Sequence, residues 1–344
     1  MMDNKKALVA MSGGVDSSVA LSLMQQMGYE CQGVTMRLLA NSDDSITDAK
    51  AVAERLKVEF TVAEMVDTFR ETIIAEFVKA YEDGMTPNPC VLCNKVLKFG
   101  ELLKIADQRN CDILVTGHYA RVECEDGKYL LKKAKDPAKD QSYFLYALTQ
   151  EQLSRVYFPL GEYTKPQIRE LAEQLGLTNA HRKDSQDICF VPNGDYAKVI
   201  TEYANKSYPN GKFVDLKGNV LGEHSGIIKY TVGQRKGLGI ALGKPMYVCA
   251  KSVKENTVTL CDNDELFSRS LKANNFNWIV EPKTDTLRCK ARIRYRHLEQ
   301  DATVKISDDT VRVIFDEPQR AITPGQSVVL YDGDTVLGGG IIIE

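Results

Sequence analysis

The sequence predicts an α/β protein in which an N-terminal doubly wound parallel sheet is followed by two small β-rich domains. Three observations carry this. Short apolar runs alternate with amphipathic helical stretches from Lys5 to about Thr116. Helix signals nearly vanish beyond about residue 205, where β-type runs recur between Gly, Asn and Asp turns. The length of 344 residues exceeds one typical domain.

Taken in order, Ala7–Met11 reads as a buried strand and Ser17–Met27 as its crossover helix. Strands at Gln32–Arg37, Glu59–Ala63 and Ile113–Thr116 alternate with helices near Thr47–Leu56, Asp67–Tyr81 and Lys95–Asn110. Such alternation places helices on both faces of the sheet and ligands beyond the carboxyl ends of its strands. Pro87 and Pro89, within Gly84–Cys90, predict a loop without regular helix. Arg121–Cys124 and Lys128–Lys132 flank the turn Glu125-Asp126-Gly127, a hairpin signal, and Thr164-Lys165-Pro166 opens a helix running to about Leu175. A break near Leu266–Ser270 divides the β-rich part, so the expected domains are 1–204, 205–267 and 268–344.

No uninterrupted apolar stretch is long enough to cross a bilayer, and the first residues run into a strand with no signal-peptide pattern, which predicts a cytoplasmic protein with no membrane partner. Nine cysteines in that setting suit reduced thiols, metal ligation or redox catalysis rather than a disulfide framework. With a net charge of −3, a polyanion site has to be a local patch. Lys132–Lys135, His181-Arg182-Lys183 and Arg292–His297 are candidate patches, each equally readable as a salt-bridging face. Arg292-Ile293-Arg294-Tyr295-Arg296 is expected to alternate along a strand, setting several arginines on one face for phosphates.

Chemistry concentrates at Ala10-Met11-Ser12-Gly13-Gly14-Val15-Asp16-Ser17-Ser18. Two adjacent glycines after a strand allow a tight turn with N–H groups facing one point, and the helix that follows adds its positive N-terminal dipole, an oxyanion or phosphate cradle. It lacks the Gly-Lys-Ser/Thr ending of the Walker loop and the spaced glycines of the dinucleotide fingerprint. The bland reading is a strand-to-helix turn that uses Gly, Asp and Ser as caps. Cys90-Val91-Leu92-Cys93 runs into a helix near Lys95, a placement expected to lower the thiol pKa. Cys189 stands far along the chain in the polar stretch Lys183–Phe190. No second C-x-x-C or His pair completes a zinc site, whereas Cys90, Cys93 and Cys189 could ligate three irons of a cubane cluster. Cys31, Cys111, Cys124, Cys249, Cys261 and Cys289 read as small core residues.

The SGGxDSS loop resembles that of the PP-loop ATP pyrophosphatases, which have an adenine nucleotide alpha hydrolase-like fold. Across its whole length the chain is similar to bacterial tRNA-specific 2-thiouridylases. Ser12–Ser18, Thr86–Pro89, Cys93-Asn94-Lys95, Lys98-Phe99, Thr116–Ala120, Lys139–Leu145, Lys183–Phe190, Tyr230–Gly239 and Ala321–Gln326 carry the likeness. The resemblance implies adenylation of the C2 oxygen of the wobble uridine by ATP with Mg2+, followed by displacement of AMP by sulfur. Ala10, Met11, Ser12, Gly13, Gly14, Val15, Asp16 and Ser17 would hold ATP, with Met36 and Gly117 lining the adenosine and Asp16 a candidate magnesium ligand. Cys189 would carry a persulfide, with Cys93 as partner thiol. Asn88, Pro89 and Cys90 would surround the flipped base, and His118, Lys139, Asp140, Gln141, Arg294, Tyr295 and Gln326 would touch tRNA. The implied sulfur donor is a cysteine desulfurase or a sulfur-relay protein. Many members of that family carry Asp where Cys90 stands, and the segment after Met36 is shorter here. Two routes stay open: persulfide chemistry on Cys189, or a [4Fe-4S] cluster on Cys90, Cys93 and Cys189. A noncatalytic tRNA-binding or sulfur-carrier protein is the alternative from another class. The intact Ser12–Ser18 loop stands against it.

Overall fold

A computed structural model of the chain describes residues 5–177 and 187–344. These form two compact units, one of 5–71, 90–177 and 332–337, the other of 72–89, 187–331 and 338–344. The run His181-Arg182-Lys183 and the first part of the cysteine motif, Lys183–Gln186, lie outside the described residues.

The first unit is built on a parallel sheet of β1 (Lys6–Ala10), β2 (Glu30–Arg37), β3 (Glu59–Glu64) and β4 (Ile113–Val115). A hairpin of β5 (Ala120–Glu125) and β6 (Lys128–Lys133) follows, and then β7 (Val156–Tyr157) joins the sheet in the order β3-β2-β1-β4-β7. Ala7, Leu8 and Val9 are all fully buried, as a strand covered on both faces requires. Ala7 and Val9 share a core with Val19 and Leu23 of helix Val15–Gln26 and Val52 of helix Asp43–Arg55. Strand alternation turns Leu8 to the opposite face, where helix Leu102–Gln108 packs on β1 and β4. The doubly wound sheet is therefore the one the apolar runs predict, with strand ends displaced by only one or two residues. Helix Asp43–Arg55 begins earlier than the pattern suggests, because Asp43 and Asp44 stabilise its positive end. β7, two residues long, is too short to leave a periodic signal.

The second unit holds two β assemblies and helix Tyr196–Ala204, an element absent from the sequence reading. β8 (Gly211–Val214), β9 (Val220–His224), β10 (Tyr247–Ser252) and β11 (Thr257–Cys261) form a sheet in the order β10-β11-β8-β9. β12 (Phe267–Trp278), β13 (Thr286–Arg292), β14 (Gln300–Ser307), β15 (Thr310–Arg320), β16 (Ser327–Asp332) and β17 (Thr335–Ile342) follow in the order β12-β15-β14-β13-β16-β17. β17 pairs back onto β12, closing a six-stranded barrel. Closure removes exposed edges, and Ala291, Val304, Val313 and Leu330 fill the buried side. Among the described residues no helix is long and apolar enough to cross a membrane.

One buried cation stands out in this unit. The Lys251 Nζ has no hydrogen-bond partner among the described residues and sits 5.8 Å from the centroid of Tyr81, whose ring stacks on Tyr196 at 4.9 Å. Burial pulls its ammonium down to about 8. The unfolded chain then binds the proton more tightly, so the penalty is complete below about pH 8 and fades as pH rises toward the ordinary lysine value. Lys251→Met is expected to stabilise the protein by roughly 2–3 kcal/mol at neutral pH, with the advantage gone near pH 10.5. Denaturant unfolding of both proteins at several pH values checks this, and a pH-independent difference would exclude proton linkage as its source.

Candidate active site

The loop after β1 turns at Gly13, whose φ is +73°. A Cβ there would lie 2.6 Å from the Ser45 carbonyl oxygen, so glycine is required by space as well as by conformation. Gly14 is the N-cap of helix Val15–Gln26, and no side chain caps that end. Serines brace the turn instead: Ser17 Oγ donates to the Gly14 carbonyl at 3.1 Å and accepts from Ser12 N–H at 3.1 Å, and Ser18 Oγ donates to the same carbonyl at 2.9 Å. Thr35 of β2 donates from Oγ1 to the Met11 carbonyl at 2.7 Å. An uncapped helix start behind a braced glycine turn suits the binding of an anion.

Gly117, just after β4, approaches the same turn. A Cβ on it would fall 2.9 Å from both the Asp16 carbonyl carbon and the Ser17 nitrogen. The loops after β1 and β4 therefore meet where the strand order reverses, the crevice in which open α/β sheets bind ligands. Met36 stands half-buried near the carboxyl end of neighbouring β2.

Asp16 is held differently from a magnesium ligand with open oxygens. Lys165 Nζ reaches its Oδ1 at 2.8 Å and Oδ2 at 2.9 Å, and Tyr119 OH donates to Oδ1 at 2.9 Å. Lys165 is buried, and its backbone N–H donates to Asp136 Oδ2 at 2.9 Å at the start of helix Lys165–Gln174. In this structure Asp16 is an ion-pair partner that fixes the first turn of the loop helix. Sequence reading missed both partners, since Thr164-Lys165-Pro166 signals only a helix start and Tyr119 sits inside a motif without marked chemistry.

The two cysteines of the C-x-x-C share one turn of helix Pro89–Cys93, with Cys90 exposed and Cys93 buried. Pro89 does not exclude helix here because it occupies the first position, where its missing N–H has no intrahelical partner to lose. A π-helical stretch, Asn94–Glu101, continues the chain and carries Lys98. The expected lowering of the thiol pKa is overturned: desolvation pushes both Cys90 and Cys93 upward, and Lys98 opposes this only in part. His118 faces the rings of Phe99 and Phe158, at 5.7 and 5.8 Å between centroids, and its Nδ1 meets Thr116 Oγ1 at 2.6 Å. Burial and then the charge of Lys98 hold its pKa well below the ordinary range. Its ring is thus neutral near pH 7 and unsuited to pairing with a phosphate by charge.

Cys189 is exposed in the other unit, on a turn closed by Val191 N–H donating to the Ile188 carbonyl at 2.9 Å. Its neighbour Phe190 is buried edge-on against Phe77 at 5.1 Å. Among the described residues, no group of three or more His, Cys, Asp and Glu is placed to hold a metal ion. Of the cysteines read as core, Cys31, Cys111, Cys261 and Cys289 are buried and Cys249 is intermediate. Cys124, near the turn end of β5, is exposed instead.

Several residues expected at tRNA have structural partners. Asp140 is buried and accepts from Ala134 N–H at 3.1 Å, Ser142 N–H at 3.2 Å and Ser142 Oγ at 2.9 Å. Gln141 Oε1 accepts from Tyr119 N–H at 3.0 Å, and Lys139 beside it is half-buried. The arginine run is corrected as well. β13 ends at Arg292, which pairs with Glu299 at 3.3 Å and lies 5.4 Å from the Tyr331 centroid, so 292–296 present no single strand face. Arg294 Nη2 donates to the Arg320 carbonyl at 3.2 Å, and Tyr295 is half-buried in the adjoining turn. Gln326 Nε2 donates to the carbonyls of Thr86 at 2.8 Å and Pro87 at 3.4 Å.

A parallel sheet with a Ser-Gly-Gly loop and uncapped helix at its switch point defines an α/β nucleotide-binding enzyme of the PP-loop class. Three family descriptions match the chain: tRNA methyl transferase HUP domain over residues 5–193, tRNA methyl transferase PRC-barrel domain over 197–262, and aminomethyltransferase beta-barrel domain over 268–342. The chain is 46% identical over 357 residues to the tRNA-specific 2-thiouridylase MnmA of Clostridioides difficile, covering 99% of each. It is 48% identical over 358 residues to that of Acetivibrio thermocellus, covering 99% of this chain and 100% of the relative. The chain belongs to the tRNA-specific 2-thiouridylase family. Among solved structures, the U34-tRNA thiolase NcsA of Methanococcus maripaludis with its [4Fe-4S] cluster matches with a TM-score of 0.38 and 22% identity. It covers 59% of this chain and 65% of its own, a likeness that transfers nothing about the cluster.

Proposed function

We infer that this protein is an ATP-dependent tRNA-uridine 2-sulfurtransferase that makes 2-thiouridine at the wobble position and releases AMP and pyrophosphate. Identity of 46–48% to 2-thiouridylases across almost the whole chain carries the reading. Two thiols near polar loops and an ATP-type loop suit sulfur transfer, despite the words methyl transferase in the family descriptions.

In this reading Ala10–Ser17 hold the ATP phosphates with Mg2+, Met36 and Gly117 border the adenosine, and Asn88, Pro89 and Cys90 surround the target base. Lys139, Arg294 and Tyr295 are the proposed tRNA contacts. His118, Asp140, Gln141 and Gln326 support them through the structural partners described above. The uridine O2 attacks the α-phosphorus of ATP and pyrophosphate leaves, which turns a poor leaving group into AMP. The terminal sulfur of a Cys189 persulfide then attacks C2 as AMP departs. Cys93 thiolate takes the Cys189 sulfur, giving a Cys93–Cys189 disulfide and the thiocarbonyl, and a thiol reductant returns both cysteines. A cysteine desulfurase or sulfur-relay protein reloads Cys189. The proposed division of labour is 1–204 for catalysis and 205–267 with 268–344 for the tRNA, in the cytoplasm.

Mass spectrometry of nucleosides from unmodified tRNA, incubated with ATP, magnesium and a persulfide donor, tests this. The expected result is 2-thiouridine formed with AMP in equal amount. Product formed without ATP, or none with it, would overturn the reading.

A further inference from the structure

The loop proposed to hold the target base carries two prolines and no strand or helix of its own at Thr86 and Pro87, yet its backbone is pinned. Thr86 N–H donates to the Pro324 carbonyl at 2.8 Å, while Gln326 Nε2 donates to the carbonyls of Thr86 and Pro87. Between these anchors lies Gly325, with φ +91°. A Cβ there would fall 2.7 Å from Thr86 N and 2.9 Å from Met85 Cβ. The turn that offers these groups is tied to the barrel in its turn: Gly325 N–H donates to the Ile342 carbonyl at 2.8 Å, and Ile342 N–H donates to the Gln326 carbonyl at 2.8 Å. Backbone that lacks a ladder partner is thereby given one by an amide side chain, and the flanking Asn88-Pro89 inherits a fixed starting point.

We propose that Gly325 and Gln326 are positioning residues, through which the C-terminal barrel sets the geometry of the base-contacting loop 86–89. In this structure the side-chain amide of Gln326 donates to that loop. The inference rests on the proposed role of Asn88 and Pro89, and two separate readouts keep the two ideas apart. Gln326→Glu keeps the size of the side chain but replaces the donor with a carboxylate facing two carbonyls. Gly325→Ala presses a methyl group onto the Thr86 backbone and the Met85 side chain while leaving the Gln326 amide itself unaltered.

For Gln326→Glu, hydrogen exchange in the free enzyme is expected to show loss of protection at Thr86, with circular dichroism and protection of β1 unchanged. Thiolation kcat is expected to fall on the order of 10²-fold, as misplacement of about 1 Å does, with KM and Kd for tRNA within about twofold. Gly325→Ala is expected to give the same pattern if both act through the loop. Unchanged exchange at Thr86 in Gln326→Glu, together with weaker tRNA binding and a smaller salt slope, would overturn the inference in favour of a direct contact to RNA. Loss of protection in both variants without any effect on kcat would overturn the positioning role. Failure of the wild type to make 2-thiouridine would instead remove the function reading and leave the clamp itself measurable by exchange.

Discussion

Cys189→Ser is expected to lower 2-thiouridine formation by roughly 10³-fold or more, as for loss of a covalent nucleophile, without changing the fold. Cys189 is exposed, and its turn is anchored by Phe190 against Phe77 and by the Ile188 carbonyl, so the turn is expected to survive exchange of sulfur for oxygen. Cys93→Ser gives a different signature. The persulfide is expected to load on Cys189 still, since that thiol is exposed, and turnover to stop after the sulfur has been engaged. Intact-mass measurement after incubation with a persulfide donor separates the two: the Cys93 variant carries the extra sulfur and the Cys189 variant does not. Burial raises the Cys93 thiol pKa, with Lys98 opposing, so at neutral pH it is mostly protonated. The rate of single-turnover sulfur transfer is therefore expected to climb about tenfold per pH unit above neutrality until that thiol ionises. A profile flat between about pH 7 and 9 would mean that a preformed thiolate does the work. Normal product from Cys189→Ser would assign the sulfur to another cysteine.

Lys165→Met is expected to have the second large effect, on both stability and ATP. The Lys165 ammonium is buried and binds both oxygens of Asp16, whose own side chain is 30% exposed. Removing it strands a carboxylate beside the first turn of the loop helix. Truncating one partner of a buried pair costs about 3–5 kcal/mol, and the partial exposure of Asp16 brings the expectation to roughly 2–3 kcal/mol. The loss falls on the element that orients Gly14–Ser17, so the KM for ATP is expected to rise at least tenfold while tRNA affinity stays near that of the wild type. Asp16→Asn combined with Lys165→Met removes both charges and is expected to recover stability without recovering ATP binding. Chemical unfolding and ATP titration on all four proteins form the double-mutant cycle. Additive stability losses would mean that the pair contributes nothing.

Legibility along the chain follows the range of the interactions concerned. β1 to β4 show in the sequence because strands buried on both faces must be apolar throughout, and Ala7-Leu8-Val9 has no polar face to conceal them. The Ser-Gly-Gly turn is equally local, since Gly13 is demanded by its own φ. Pro89 misled the reading because whether a proline breaks or opens a helix depends on where the neighbouring structure starts that helix. Arg292 reads as a surface charge, and only the return of the chain brings Glu299 and the Tyr331 ring to it. The thiols of Cys90 and Cys93 read as activated by a nearby lysine, whereas desolvation, which no neighbouring residue announces, outweighs Lys98.

By itself the sequence determined the parallel α/β sheet, the phosphate-type loop, the C-terminal β assemblies and the family, because each rests on short-range pattern or on motifs held in consecutive residues. Tertiary structure alone decided that Asp16 answers to Tyr119 and Lys165, 103 and 149 positions away, and that Gln326 holds the carbonyls of a loop 240 positions earlier. The physical reason is that hydrogen bonds and desolvation depend on distance in space, and a chain's periodicity records which face of an element is buried but not which distant side chain arrives there.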